Sequence, residues 1–303
     1  MTTTSPAPTA SNPLSFRRPS GARTIKNALA YVYVTLAAVL AVIPLVWVLF
    51  TVISKGARLV MTSTWWLQSQ RGITPREEGG GAYHAIVGTI EIGLICALIA
   101  VPLGVLGAIL LIEYARGTKV ARVVSFTVDI LSGIPSIVAA LFIYALFITI
   151  FGAGRSVFAV GMALVLLMLP VVLRSTEEML KLVPDSLREA SYALGVPKWK
   201  TILKVVVPTA FGGIVTGVML GLARVMGETA PLLILVGYSK NINLNPFNGF
   251  MGALPTMINQ DRTELALAPA EERVWAAALT LILLVLLLNL AGRFVARFGS
   301  VKK

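Results

Sequence analysis

Arg224 and Glu228 are the only charged residues in an otherwise apolar stretch over 207–237, and they stand one helical turn apart. At ~1.5 Å per residue, Arg224 falls roughly 22 Å from Thr209 and about 18 Å from Val236, near the middle of a continuous helix. A guanidinium at that depth costs at least ~2.5–3.5 kcal/mol to insert. Glu228 is spaced to pair with it. A pair with no further task is the plain reading, yet replacing both charges by apolar residues is often cheaper than keeping them. The chemistry this pair could do is oxyanion handling. A planar guanidinium gives a tetrahedral oxyanion two parallel, charge-assisted hydrogen bonds. The carboxylate competes for that guanidinium and can accept a hydrogen bond from a protonated oxygen of the anion.

The elements that position these groups follow from helical spacing. At 100° per residue, Gly213, Gly217, Gly221, Arg224 and Glu228 fall within an arc of about 80°. Small residues at every fourth position let two helices approach closely. The glycine ridge is therefore expected to meet a helix of a second subunit, with the charges at that seam.

Other chemistries are excluded. The one cysteine of the 303 residues, Cys96, faces an apolar interior and the one histidine, His84, falls at a span boundary, so no Cys/His or Ser/His/Asp set and no metal cluster is expected. Cys96 lies in an apolar run and reads as a buried, inert thiol. His84 falls at a span boundary and reads as an interfacial side chain. No G-x-x-x-x-G-K-[ST] loop occurs, so ATP has no site of that kind here. The chain is not expected to be an enzyme or to bind a cofactor, and energy must come from another subunit or an ion gradient.

With 56% hydrophobic and 13% charged residues and a mean hydropathy of +0.83, the class is a polytopic membrane protein. The net charge of +12 is better assigned to loops facing anionic lipid than to nucleic acid, since no basic patch is interleaved with stacking aromatics. Stretches over roughly 28–53, 84–112, 122–150, 156–176, 207–237 and 274–298 are long enough to cross ~30 Å of hydrocarbon. Arg17 and Arg18 precede a run too long for a signal-peptide core, so the first span is expected to be uncleaved. Lys/Arg placement puts both termini and the segment 184–208 in the cytoplasm. Arg17, Arg18, Arg23 and Lys26; Arg116, Lys119 and Arg122; Arg174, Lys181, Arg188, Lys198, Lys200 and Lys204; and Arg293, Arg297, Lys302 and Lys303 then lie inside, outweighing Lys55, Arg58, Arg71, Arg76, Arg155, Lys240, Arg262 and Arg273 outside. The expected organisation is a tail over 1–26 (1–13 disordered in composition), a first helix and outer loop over 27–82, a core over 83–298 and a cytoplasmic tail over 299–303. A second long outer loop runs over 238–272. Of the remaining acids near spans, Glu91 is expected at a cavity or subunit contact, Asp129 as a backbone cap, and Glu177 and Glu178 as solvated.

Residues 184–208, PDSLREASYALGVPKWKTILKVVVP, form a polar island between apolar stretches. Pro184 and Asp185 suit a helix start. Leu187, Ala190, Ser191 and Leu194 give a short amphipathic face, Gly195 can end the helix in the left-handed conformation, and Val196-Pro197 restarts the chain. A helix–turn–helix elbow at the membrane face is expected. By itself it reads equally as an interfacial re-entry before the fifth span.

Glu189-Ala190-Ser191, Gly195 and Pro208 resemble the EAA loop of importer-type ABC permeases, departing only in serine for the second alanine. The stretches 102–115, 129–142, 174–195 and 224–233 further resemble the phosphate-specific permeases of the Pst importer. They look more like its A subunit (PstA) than its C subunit, chiefly through Gly227-Glu228-Thr229-Ala230-Pro231 after the arginine. The likeness runs over about 83–298. It implies an all-α, six-span permease of a bacterial cell membrane, with coupling helices between the fourth and fifth spans. It also implies an ATPase docked at Glu189, Ala190, Ser191 and Gly195, and a phosphate path along Arg224, Glu228 and Thr229. The partners implied are a second, PstC-like permease, PstB-like ATPase subunits holding ATP and Mg, and an extracytoplasmic PstS-like binding protein. A permease for sulfate or molybdate is the near alternative. A gradient-driven secondary transporter is the distant one, which would predict an internal repeat and no such elbow.

Overall fold

Hydrocarbon offers no partner to backbone N–H and C=O groups, so long apolar runs must close their hydrogen bonds internally as helix. The computed structural model describes residues 21–299, and among these the regular elements are all helical. The tail expected to be disordered over 1–13, Arg17 and Arg18, and Lys302 and Lys303 lie outside the described residues.

Helix α1, Gly21–Val60, is 40 residues long and carries Pro44 inside it. The chain divides after Thr51. Up to there the first unit is the helical stretch itself, in which the Thr51 hydroxyl donates to the Trp47 carbonyl. The second unit, from Val52 onward, holds the last turns of α1 and every later element. These are α2 (Ser63–Leu67), α3 (Tyr83–Ile109) with a π-helical turn over Leu110–Tyr114, α4 (Lys119–Ser132), and α5 (Ser136–Ile143) with a second π-turn over Tyr144–Ile150. Then follow α6 (Val157–Lys181), α7 (Asp185–Ala193), α8 (Lys198–Thr201), a third π-turn over Ile202–Val206, α9 (Val207–Met226), α10 (Ala230–Leu235), α11 (Leu254–Asp261) and α12 (Ala268–Gly299). Five helical stretches are long and apolar enough to cross a membrane, and a sixth if the bent pair α4–α5 counts as one span.

Two expected spans are broken. The third turns through 105° between α4 and α5. There Pro135 has no N–H for the Leu131 carbonyl and its ring clashes with it. The fifth, expected to be continuous over 207–237, stops at Met226 and restarts at Ala230. Pro231 sits in the first turn of α10 and cannot bond the Gly227 carbonyl.

Helix α6 is the axis of the second unit, packed against α3, α4, α5, α9 and α10. Leu164, Met168 and Leu180 along it are fully buried. Small residues bring α3 close to it. A Cβ on Gly161 would meet Ile95 Cγ2 at 2.5 Å, and one on Gly104 would meet Val172 Cγ1 at 2.8 Å. Cys96 lies in this seam, buried, its thiol 3.6 Å from Met168 Sδ.

At the end of the bundle away from α7, the segment 52–82 joins the rest of the unit rather than standing apart from 83–298. Trp65 is buried against α11 and α12, and its Nε1 donates to Thr280 Oγ1 at 2.8 Å. Around it runs a buried polar chain. Gln70 Nε2 donates to Asp261 Oδ2 at 3.0 Å, the Tyr238 hydroxyl donates to Gln70 Oε1 at 3.2 Å, and His84 Nε2 lies 3.2 Å from the Tyr238 oxygen. Burial pushes the Tyr238 phenol up, Asp261 adds to this and Arg273 opposes it. The phenol therefore stays protonated and donates. His84, expected at an interface, is buried within this chain because Gly252 lets the 238–252 segment close over it. Arg273, 2% exposed, sits 3.6 Å from Asp261 and donates to the Glu77, Pro75 and Thr74 carbonyls. Arg273→Met strands the Asp261 carboxylate. The expected loss is about 3–5 kcal/mol of stability, as is usual when one partner of a buried pair is removed. Thermal unfolding of the detergent-solubilised chain checks it, and Asp261→Asn added to Arg273→Met should restore part of the loss.

Candidate functional site: an elbow and an open helix face

The elbow forms as its residues dictate. Pro184 precedes α7 in extended conformation, and Asp185 occupies the first turn. At the other end Gly195 takes φ +74°, its N–H donates to the Tyr192 carbonyl, and the Val196 N–H donates to the Ser191 carbonyl. That is the Schellman arrangement a C-terminal glycine permits. No atom lies within 4 Å of where a Gly195 Cβ would be, so this corner faces open space. Glu189 and Ala190 are exposed, and Glu189 has no side-chain partner among the described residues. Leu194 and Trp199, 83% and 54% exposed, leave apolar surface beside them.

Ser191 does not belong to that outward surface. It is buried, and its hydroxyl lies 2.8 Å from Thr201 Oγ1 in a bond that staples α7 to α8. The serine that departs from the expected alanine is an internal fastener. Thr201, ten residues on, was the unnoticed half of the pair.

A second fastening also escaped the sequence reading. The Arg188 side chain, 11% exposed, donates from Nη2 and Nε to Glu113 Oε1 at 2.8 and 3.1 Å. It also reaches the Val183 and Leu180 carbonyls at 2.6 and 3.0 Å and Asp185 Oδ1 at 3.2 Å. Glu113 lies in the π-turn that ends α3, with Tyr114 next to it under the Lys198 ammonium at 5.0 Å. The elbow is thus locked to the end of α3. The available signal was a glutamate closing an apolar run.

A third cluster sits nearby. Arg174 donates to Asp129 and Glu177, each at 2.6 Å, and to the Ser125 carbonyl at 2.9 Å, while Lys181 holds the other Glu177 oxygen at 2.7 Å. Glu177, expected to be solvated, is buried by these two cations. Asp129, expected to cap backbone, ties α4 to α6 instead. Glu178 is exposed.

Helix α9 is enclosed on three sides. A Cβ on Gly213 or Gly217 would collide with the Met179 or Ser175 side chain, and one on Gly221 would lie 3.4 Å from Met168 Cγ. The ridge expected at a subunit seam is therefore occupied by α6 of the same chain. Close approach follows from the glycines, but a helix of this chain already makes it. Met219 fits against Gly292 of α12, and Met226 lies 3.5 Å from a Cβ on Gly93 of α3. The side left over carries Thr209, Thr216, Leu220 and Arg224, all exposed, with open space at Gly212. Both threonine hydroxyls are turned back onto carbonyls four residues earlier.

Arg224 ends this open face in the last turn of α9, and Glu228 and Thr229 lie in the break before α10. The expected Arg224–Glu228 ion pair is not made, because the helix stops between them. Neither side chain has a polar partner among the described residues. The break is nevertheless well inside the bundle. Met226 is level with Gly93, ten residues into α3, or roughly 15 Å from its end. Glu91, on α3, is half-buried and likewise unpaired among the described residues.

A bundle of helices long and apolar enough to cross a membrane, an exposed two-helix elbow, and an interrupted helix whose Arg224 and Glu228 are unpaired among the described residues together define a polytopic membrane transport component. The family described as binding-protein-dependent transport system inner membrane component matches residues 100–298, and this chain belongs to it. The chain is 53% identical over 287 residues to phosphate transport system permease protein PstA 1 of Mycobacterium tuberculosis (strain ATCC 25618 / H37Rv), covering 94% of this chain and 92% of that protein. It is 37% identical to phosphate transport system permease protein PstA of Yersinia pestis, covering 93% of each. In fold it is similar to a chain of the inward-facing MetNI methionine ABC transporter, at TM-score 0.57 and 24% identity, covering 73% of this chain and 95% of that one. It is also similar to a chain of a bacterial alginate ABC transporter, at TM-score 0.62 and 14% identity, covering 90% and 95%. The all-α importer-type ABC permease expected from the sequence is the fold observed.

Arg188→Met leaves the Glu113 carboxylate buried without its cation, and a destabilisation of about 3–5 kcal/mol is expected. Limited proteolysis after Lys198 and Lys200 should accelerate, and Glu113→Gln in the same chain should slow it again.

Proposed function

We propose that this chain is a transmembrane subunit of an ATP-driven inorganic phosphate importer. The observation that carries the reading is the unpaired guanidinium of Arg224 at an interrupted helix, at the head of the one open face of α9. Broken helices with charged groups at mid-bundle depth are how transporters build ion sites inside a membrane. The names of the relatives supply the anion.

On this reading the open face of α9 lines half of the path, and a homologous PstC-like permease supplies the other half. PstB-like ATPases hold ATP and Mg and dock on Glu189, Ala190 and the Gly195 corner, while a PstS-like protein delivers phosphate at the far end. Both termini and the elbow then face the cytoplasm. ATPase closure moves α7. Arg188–Glu113 passes the motion to α3, and Ser191–Thr201 passes it to α8 and α9. Arg224 attracts the anion, Thr229 offers a hydroxyl, and Glu228 competes for the guanidinium so that the anion leaves.

Arg224→Gln, in a complex that still assembles, is expected to lower phosphate uptake by vesicles at least tenfold, and uptake equal to the unaltered protein overturns the assignment. Monohydrogen phosphate can donate a hydrogen bond to Glu228, whereas sulfate and molybdate cannot. Glu228→Gln should therefore weaken discrimination between these anions, measured by competition in the same vesicles. Gly195→Asp puts a side chain on a left-handed backbone at the docking corner, and co-purification of an ATPase subunit should be lost.

A further inference from the structure

Helix α4 presents two faces with different fates. On a helical wheel Ala121, Ser125 and Val128 lie on one side, turned toward α6, where the Ser125 carbonyl takes Arg174 and Val128 is buried. The opposite side carries Lys119, Arg122, Val123, Phe126 and Ile130, all exposed. The two cations stand at the helix start, level with the last turn of α6, since Ala121, Ser125, Glu177 and Lys181 line one cavity of about 420 Å³ there. The apolar three follow deeper along the same stripe.

The charges around this rim are not equal. Arg116 has Asp185 at 3.8 Å, Lys181 has Glu177, Arg174 has Asp129 and Glu177, and Arg188 has Glu113. Lys119 and Arg122 on α4 have no acidic partner among the described residues; Lys198, which also has none, lies instead over the Tyr114 ring. Two unneutralised cations heading an exposed apolar stripe, at the level where a crossing helix leaves hydrocarbon, match one ligand shape: an anionic head on an apolar chain.

We propose that this face of α4 is a binding site for an anionic phospholipid of the leaflet on the elbow side. The phosphodiester lies between Lys119 and Arg122, and an acyl chain lies along Val123, Phe126 and Ile130. The charges select against a zwitterionic head, whose own ammonium would meet the cations. Because Asp129 on α4 is held by Arg174, and Arg174 shares Glu177 with Lys181 just before α7, an occupied site would steady the base of the elbow.

The test is native mass spectrometry of the detergent-purified complex containing the full chain, titrated with phosphatidylglycerol or with phosphatidylcholine of equal chain length. Preferential retention of phosphatidylglycerol is expected. Lys119→Gln with Arg122→Gln should weaken it roughly fivefold per charge, about thirtyfold for both at low salt. Phe126→Ser should weaken retention of both lipids. Equal retention of the two lipids, or unchanged retention by the double variant, overturns the proposal. Displacement of phosphatidylglycerol by added inorganic phosphate would assign the cations to a free anion and also overturn it. Loss of a co-purifying subunit from the double variant would mark a protein contact instead.

Discussion

Arg188 joins three pieces of chain that have little else in common. Helix α7 has nine residues, too few to be stable by itself. What fixes it is a guanidinium that satisfies Glu113, two carbonyls at the end of α6 and the aspartate of its own first turn. With both charges buried, the pair is only marginally favourable against a well-packed apolar alternative, and it is very costly to split. That asymmetry suits a joint: it resists being opened, so α7 and the end of α3 stay fastened to each other. The Ser191–Thr201 bond does the same toward α8, and the elbow therefore has two rigid outlets into the bundle.

The opposite demand acts at the two proline breaks. A helix interrupted in lipid leaves backbone groups without partners unless protein or a water-lined path covers them. At the bend before α5, helices α6 and α10 pack against α5, but Ser132, Gly133 and Pro135 of the bend itself are exposed. The break over Gly227–Thr229 is open as well: Gly227 is exposed, and Glu228 and Thr229 are half-exposed. Exposed polar backbone at that depth requires something beside it, and a cavity lined by a second subunit meets the requirement.

Apolar run lengths were enough to locate the helices long enough to cross a membrane, because lipid imposes that signal directly. The elbow was readable for a similar reason: Pro184, Gly195 and Pro197 each act locally on the backbone. What could not be read were choices among partners. The glycines at 213, 217 and 221 announced a close neighbour without saying that it was α6. Arg224 and Glu228 had ideal helical spacing, and only Pro231, weighed as a helix breaker, would have separated them. Glu177 and Arg188 sit in polar stretches that look solvated until folding brings Arg174 and Glu113 to them.

The connection between α10 and α11 has a feature with wider reach. Asn243 holds the Asn248 and Phe250 carbonyls through its Nδ2 and the Asn245 N–H through its Oδ1, and Asn245 in turn accepts the Phe247 N–H. These bonds brace the loop from within; Leu244 projects from it, while Phe247 packs on Phe158 of α6 with ring centroids 5.2 Å apart. A loop shaped by its own asparagine bonds can exchange an outward residue such as Leu244 without breaking any bond that gives it its shape.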